Sequence, residues 1–456
     1  MAETNGRRGM AFIGIAIIGF ISMYMVSGVG VYGYTVAAEF DAIDSVGLIF
    51  TLESVLRLAT MAIGGKIGDK LGRKKVFIFS VALYIICYLL CGFATNFWMF
   101  LILRSITGLA WGLYMINIMV LISDVFGQEE GPKYTGLYQG VTTVAMILGA
   151  AVAGVICAFN WRFQFYIPMI IMIIGFILCI IGLPKVEKTT DKVDLDGAGV
   201  VFTLLFFIPL SLALNWGNTY GWTSPLVLIL IVLAIVGIIG LLIAENKAVA
   251  PVLPFKLLKN KYFLAVFVIS FVYSFAGGVS QYYPTLAQYV MGIDSVTTGF
   301  LTMPGLIIAT ILSIILGRRA AKTGKYRGMT WAWVIMTLIS GIMLLFVGNF
   351  MSGTVMMSAY IYMMVAITPQ GASNGVQQIV PYTYPMKVLK PEVLGVGMAF
   401  MGIGGPIGNT LGSAVAGGLM NGAGGMVSLL YVPIFAAVIM LIFAFMFKDI
   451  KAGETI

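Results

Sequence analysis

Histidine is absent from this chain of 456 residues. That removes the commonest general base and metal ligand, so any pH response must rest on carboxylates or tyrosines. Cysteine is scarce: Cys87, Cys91, Cys157 and Cys179 all fall within or at the ends of long apolar runs. Cys87 and Cys91 share a helix face by their spacing, but two thiols without further ligands read as packing residues rather than a metal pair. No disulfide framework is suggested. Charge is also scarce, at 10% of residues against 60% hydrophobic, and mean hydropathy is +1.01. A soluble chain of this length could not hide so much apolar surface, so its solvent is the bilayer. No catalytic constellation stands out, and neither an enzyme nor a cofactor nor a metal is expected.

Apolar runs of about 20 residues recur along the chain, each long enough to cross a hydrocarbon layer as a helix. Fourteen spans are expected, near 10–37, 46–65, 76–95, 98–122, 135–158, 164–183, 197–215, 225–244, 263–290, 296–316, 329–348, 354–376, 393–419 and 426–447. The first is too long for a cleavable signal core and lacks a small-residue cleavage site, so it reads as helix 1. The net charge is +9, from 27 Lys and Arg against 18 Asp and Glu. All the basic residues except Arg57, Arg104 and Arg162 fall in loops or tails on one side of the expected topology. This asymmetry puts both termini in the cytoplasm and gives the basic charge a topological role rather than a nucleic-acid one.

The segment Gly65-Lys66-Ile67-Gly68-Asp69-Lys70-Leu71-Gly72-Arg73-Lys74-Lys75 is a charged loop between two apolar runs. Its spacing returns at Gly317, Ala321, Lys322, Gly324 and Lys325, with the acid lost. A second repeat pairs Leu148-Gly149-Ala150-Ala151-Val152-Ala153-Gly154 with Leu411-Gly412-Ser413-Ala414-Val415-Ala416-Gly417. The offsets are 252 and 263 residues, as expected of an ancient duplication. The first loop resembles that between helices 2 and 3 of the major facilitator superfamily. Val193-Asp194-Leu195-Asp196-Gly197, Leu214-Asn215-Trp216-Gly217, Gly221-Trp222-Thr223-Ser224-Pro225, Glu245 and Pro251-Val252-Leu253-Pro254-Phe255 are similar to the fourteen-helix drug:proton antiporter family.

That resemblance implies an all-α membrane protein with the major facilitator fold. Its parts are a six-helix bundle over 1–190, an inserted helix pair over 191–250 and a second bundle over 251–456. It also implies a cytoplasmic (inner) membrane protein of bacterial type, a monomer in its lipid, whose partners are a small-molecule substrate and protons. In the family the charged loop latches the bundles when the transporter faces outward, which assigns Gly65, Asp69, Gly72 and Arg73 to a latch. Asp69 can pair with Arg73 there, at a helix N-terminus that favours an anion.

Leu103-Arg104-Ser105-Ile106-Thr107-Gly108-Leu109-Ala110-Trp111-Gly112 resembles the helix 4 motif whose arginine is implicated in proton transfer. Glu53 lies 13 residues before Lys66, or ~20 Å from the inner end of its helix. That is the level of Arg104, with Arg57 one turn deeper on the face of Glu53. Charges at this depth are expensive and are functional or paired. Glu53 and Arg104 are the proton-coupling candidates. With Glu53 ionised the cluster is net +1, which favours an anionic head group.

Candidate substrate-binding residues are Arg57, Trp111, Tyr114 and Asn117 in the first half, and Gln281, Tyr282, Tyr283, Asn374 and Gln377 in the second. Each could equally serve interhelical packing. Tyr32 and Tyr34 read as interface anchors, and a kink is expected at Pro284. Gly28-Val29-Gly30-Val31-Tyr32-Gly33 fits a dinucleotide pattern, but it lies in an apolar span with no preceding strand. Helix 5 departs from the exporters: Ala150 follows Gly149, where they carry Gly-Pro. The function expected is proton-coupled efflux of an amphipathic, preferentially anionic, organic compound. The alternatives are uptake of a bile-acid-like anion by proton symport and, in another class, a channel or a non-transporting sensor.

Overall fold

The computed structural model describes residues 2–184, 197–247, 255–348, 356–389, 391–422 and 424–449. Among them there is no strand, and eleven helices are long and apolar enough to cross a membrane. The chain divides into two compact units. Unit 1 is residues 1–212 with 228–241, and unit 2 is 213–227 with 242–456.

Unit 1 contains α1 (Ala2–Glu39), α2 (Val46–Leu71), α3 (Arg73–Gly92), α4 (Phe97–Phe159) and α5 (Phe163–Gly182). It also holds much of α6 (Gly197–Tyr220) and α7 (Pro225–Lys247). α4 is two helices merged across a bend at Gly127, whose φ of 74° falls where only glycine is comfortable. The expected loop between residues 122 and 135 is therefore helical apart from this one residue. Glu129 and Glu130 follow the bend at once, and acidic residues favour a new helix N-terminus. Phe126 and Tyr134 stack across the bend at 3.5 Å, and Phe12 of α1 packs edge-on against both.

Unit 2 contains α8 (Lys261–Ser280), α9 (Tyr283–Tyr289), α10 (Ser295–Gly299), α11 (Met303–Thr323), α12 (Arg327–Leu345) and α13 (Met356–Gln377). Two single turns, α14 (Val380–Thr383) and α15 (Pro385–Val388), precede α16 (Pro391–Met420) and α17 (Val432–Ala444). α8 and α9 form one expected span, broken at Gln281 and Tyr282 with Pro284 in the first turn of α9. That is the expected kink, since proline lacks the N–H a continuous helix would use. The hairpin between α6 and α7 turns at Gly221, φ 87°. Asn218 anchors its tip by donating to the Gly418 carbonyl at 2.7 Å and accepting from the Trp222 indole at 2.9 Å.

The duplication is visible in the backbone contacts. A Cβ added to Gly108 of α4 would stand 2.2 Å from the Glu53 carbonyl oxygen, and one at Gly112 would stand 2.5 Å from that of Arg57. In unit 2, a Cβ on Gly371 would meet Gly305 at 2.9 Å, and one on Gly375 would meet the Ala309 carbonyl at 2.4 Å. Gly371 and Gly375 follow Gly108 and Gly112 by 263 residues, and Gly305 and Ala309 follow Glu53 and Arg57 by 252. These are the two offsets read from the sequence. Likewise Gly149 presses on the Tyr24 carbonyl (2.6 Å) as Gly412 does on that of Phe275 (2.0 Å). Without hydrophobic driving force between helices in lipid, small residues hold them together by close backbone approach. Gly28, part of the dinucleotide-like pattern, lies in α1 against Ala153 and Gly149.

Candidate functional site

The glycine contacts set the geometry of the charged cluster in unit 1. Arg104, Gly108 and Gly112 lie one turn apart on one face of α4. With α4 pressed against α2, Arg104 reaches Glu53. One Arg104 guanidinium nitrogen lies 3.8 Å from Glu53 Oε1, and one of Arg57 lies 3.6 Å from the same oxygen. A single carboxylate is thus shared by two guanidiniums, and the cluster carries a net positive charge. Glu53 and Arg104 are 6% and 2% exposed, a depth at which charges need partners.

Aromatic rings and hydroxyls supply the rest of the shell. Arg57 lies over the Trp111 ring at 5.1 Å and donates to Ser54 Oγ at 3.3 Å. Arg104 lies over the Tyr88 ring at 5.3 Å and donates to Thr107 Oγ1 at 2.9 Å. Such stacking favours a cation where water is excluded. Arg104 Nε and Trp111 Nε1 have no hydrogen-bond partner among the described residues. The cluster therefore retains donors toward an anion.

The structure brings together Glu53, Arg57, Arg104 and Trp111. Tyr114 belongs to the same interior: it is fully buried, packs against Trp111 at 6.4 Å and shares a 2.6 Å hydrogen bond with Ser22. Asn117 lies elsewhere. Its amide donates to the Gly64 carbonyl at 3.2 Å and the Leu113 carbonyl at 2.7 Å, tying α4 to α2. Tyr32 corrects the sequence reading, because it is fully buried against Phe165 rather than placed as an interface anchor. A second ion pair was not foreseen. Arg162 pairs with Glu39 at 2.6 Å and stacks on Trp161, which itself donates to Glu39.

At the charged loop, Gly72 has φ 95°, and its repeat partner Gly324 has φ 61°. Both close a helix in conformations that suit glycine. Arg73 pairs with Asp124, just before the Gly127 bend of α4, at 3.1 Å, where the sequence suggested Asp69. The side chain of Asp69 and the surroundings of Gly65 lie outside the described residues. Asp124 is answered 263 residues on by Lys387, which donates to the Gly324 carbonyl at 3.4 Å.

In unit 2 the candidates form amide and hydroxyl pairs without charge. Gln281 donates to Asn409 Oδ1 at 3.1 Å, Gln377 to Ser274 Oγ at 2.8 Å and Gln370 to Ser280 Oγ at 3.1 Å. Tyr282 is buried and donates to the Ser413 carbonyl at 2.9 Å, and Tyr283 is buried as well. Asn374 is half-buried on α13. The repeat explains this arrangement: Asn374 and Gln377 follow Trp111 and Tyr114 by 263 residues. Glu53, Arg57 and Arg104 are answered by Gly305, Ala309 and Ile367, so the ionic cluster belongs to one half alone. The four cysteines are free and buried, and no group of metal-ligating residues occurs among the described residues.

The fold is shared with solved transporters. The nucleoside transporter NupG superposes with a TM-score of 0.68 at 12% identity, over 96% of this chain and 100% of its own. A peptide transporter, POT, in complex with sulfate gives 0.71 at 14% identity over 96% and 93%. In sequence the chain is similar to the multidrug transporter protein MdtP of Bacillus subtilis, 28% identical over 70% of this chain and 60% of the relative. Multidrug resistance protein 3 of the same species is 26% identical over 73% and 64%. The probable multidrug resistance protein EmrY of Escherichia coli is 25% identical over 63% and 57%. The match thus spans less than two thirds of these relatives' length. The family model described as Major Facilitator Superfamily matches residues 15–365; with the duplicated helix contacts and the charged loop, this shows that the chain belongs to the Major Facilitator Superfamily.

Proposed function

We propose that this protein is a proton-coupled secondary transporter of the cytoplasmic membrane, exporting a small amphipathic organic compound with a preference for anions. The observation that carries the reading is the buried Glu53 shared between Arg57 and Arg104. With Glu53 ionised, one of the two cations is compensated; when Glu53 is protonated, both are left bare in the interior. Burying an unpaired cation costs several kcal/mol. A substrate carboxylate or sulfonate relieves that cost, and this is the source of the anion preference. Glu53 is the proton carrier, Arg104 its partner and Arg57 the substrate contact, with Trp111 supplying an apolar wall.

The relatives' names favour export of drug-like molecules. In this reading fourteen spans form two six-helix bundles, over 1–190 and 251–456, with the inserted pair of 191–250 between them in sequence. The bundles alternate access, and Gly65, Asp69, Gly72 and Arg73, with Asp124, latch the cytoplasmic side. Asn374 and Gln377, with Gln281, Tyr282 and Tyr283, add neutral hydrogen-bonding and aromatic groups. The protein catalyses no covalent step. One observation favours a second reading, proton-driven uptake of an organic anion: Gly149-Ala150 replaces the Gly-Pro stretch that the exporters carry in helix 5.

The test uses proteoliposomes of known orientation with an imposed pH gradient. Their probes are radiolabelled taurocholate, an amphipathic sulfonate, and tetraphenylphosphonium, a lipophilic cation. Movement of taurocholate against the proton flow supports export, and movement with it supports uptake. Transport of the cation alone would overturn the anion preference.

A further inference from the structure

A groove in unit 1 is bounded by three helices: α1, the second part of α4, and α5. Its lining is entirely apolar and its volume is about 240 Å³. Phe12, Ala16 and Phe20 of α1 run along it at one-turn spacing, with Val141 of α4 and Ile171 of α5 at its flanks. Ile13 and Ile171 open it to the surroundings, since both are exposed. The hollow follows from the order of residues. Ala16 is small and stands between two phenylalanines. The flanking helices are drawn onto α1 by glycines that do not line the groove. A Cβ at Gly14 would meet the Gly175 carbonyl and Cys179 of α5 at 2.7 Å, and one at Gly19 would strike the Tyr138 ring of α4. α1 is therefore the floor and the other two helices are the walls.

One end of the groove is cationic. Phe12 packs edge-on against Tyr134 at 4.9 Å, and the Lys133 ammonium lies over that same ring at 5.8 Å. Arg8 is exposed one turn before Phe12, ~6 Å along α1. Neither Arg8 nor Lys133 forms an ion pair among the described residues, and the exposed Glu130 pairs with neither. At the same end Gly182 of α5 presses on the Arg7 and Ala11 backbone, and Lys74 donates to the Ile180 and Leu183 carbonyls. Unit 2 supplies the contrast. Val141 is answered there by Gly404, where a Cβ would meet the Phe267 ring at 2.6 Å, and Phe267 stacks on Phe400 at 4.5 Å. The chain's own rings close in on that position. Arg8 and Lys133 are answered by Asn260 and Val396, so the cations are missing as well.

An apolar tail has no hydrophobic reason to leave the bilayer for a groove in a protein; it gains only close packing. Selectivity must come from the head that the tail carries. Each Lys or Arg near the membrane surface favours an anionic head by about fivefold. We propose that this groove binds one anionic phospholipid, with an acyl chain along Phe12, Ala16 and Phe20 and the phosphate between Arg8 and Lys133. The bound head group ties the start of α1 to the second part of α4, just past the Gly127 bend. Lipid binding here is independent of which compound the protein moves.

The test titrates full-length protein in mild detergent with dioleoyl phosphatidylglycerol and with dioleoyl phosphatidylethanolamine, which have the same tails. Native mass spectrometry counts the bound lipids. One phosphatidylglycerol should bind at least about tenfold tighter than its zwitterionic counterpart. Arg8→Gln and Lys133→Gln should each weaken it about fivefold. Ala16→Phe fills the groove and should abolish this one tight lipid with both charges intact. Arg319→Gln removes an exposed cation of unit 2 and should leave it unchanged. Equal weakening by Arg319→Gln, or none by Arg8→Gln and Lys133→Gln, would reduce the effect to general surface charge and overturn the site. A phosphatidylglycerol with a diazirine in its tail locates the chain even if Ala16→Phe does not fold. Label between Phe12 and Phe20 or around Val141 supports the groove, and label only elsewhere overturns it. Displacement of the tight lipid by taurocholate would make the groove a port for other amphiphiles and overturn its assignment to lipid.

Discussion

At the scale of single residues, the cluster turns on how many charges share one oxygen. Removing the Glu53 carboxylate leaves Arg57 and Arg104 without an acid between them. A neutral amide in its place can still accept hydrogen bonds but cannot exchange a proton. In Glu53→Gln, gradient-driven transport is expected to fall at least tenfold, while exchange of probe across the membrane without net proton movement continues. Full gradient-driven transport in that variant would remove Glu53 from coupling. Arg57→Ala or Arg104→Ala leaves one cation facing one carboxylate. The preference for taurocholate over tetraphenylphosphonium should shrink about tenfold, equivalent to ~1.4 kcal/mol. Calorimetric titration of both probes into purified protein reads this directly, and unchanged selectivity would make the arginines structural. These three residues were legible because a charge inside an apolar run has few bland explanations. The ring packing of Tyr84, Tyr88 and Tyr114 beside them was not. Tyr84 and Tyr88 sit at ordinary helical spacing, and nothing in their order shows that α1 and α4 place Ser22 and Tyr114 beside them.

At the scale of elements, glycine decides how close two helices come, and the effect of adding a methyl group follows from what that group would meet. Gly108 and Gly112 face the backbone of α2, so Gly108→Ala must push α4 away from Glu53. We expect a cost of about 1–3 kcal/mol, seen as a lower melting temperature in detergent, together with a longer Arg104–Glu53 separation and weaker coupling. Gly136 and Gly140 lie on the same helix, exposed and with nothing near their Cβ positions. Alanine there should be neutral or stabilising by up to ~1 kcal/mol, since it only improves helix propensity. Equal melting shifts at Gly108 and Gly136 would show that the close approach is not what glycine serves. The helices themselves were largely legible, because apolar length and loop charge are strong signals in a membrane chain. Where the sequence reading fell short, the reason was local. The segment after residue 122 contains glycines and a proline and reads as a loop, yet a single left-handed Gly127 is enough to turn one helix into the next. Tyr32 looked like an anchor because it stands near a helix end, whereas its neighbours on α3 and α5 enclose it.

At the scale of the whole molecule, duplication has conserved the contacts and divided the chemistry. The same glycine positions hold corresponding helices together in both units, but unit 1 carries Glu53, Arg57 and Arg104 where unit 2 carries Gly305, Ala309 and Ile367. The second unit offers the amides of Gln377, Gln370 and Gln281, bound to Ser274, Ser280 and Asn409, and the half-buried Asn374. A neutral amide can contribute affinity and orientation, but it cannot take up a proton at any accessible pH. Coupling should therefore reside in unit 1, with unit 2 contributing recognition alone. Asn374→Leu and Gln377→Leu should raise the apparent Km for the transported probe about tenfold, or ~1.4 kcal/mol of uniform binding. The number of protons moved per probe should stay unchanged. Arg104→Ala, by contrast, should change that number even where the probe still binds. Proton flux read with a pH dye inside the vesicles, alongside radiolabelled probe flux, gives the ratio in each variant. An altered ratio in Asn374→Leu or Gln377→Leu would place coupling in both halves and undo the division. A wild-type ratio in Arg104→Ala would take coupling out of the charged cluster altogether, leaving those buried charges to set the helix geometry of unit 1.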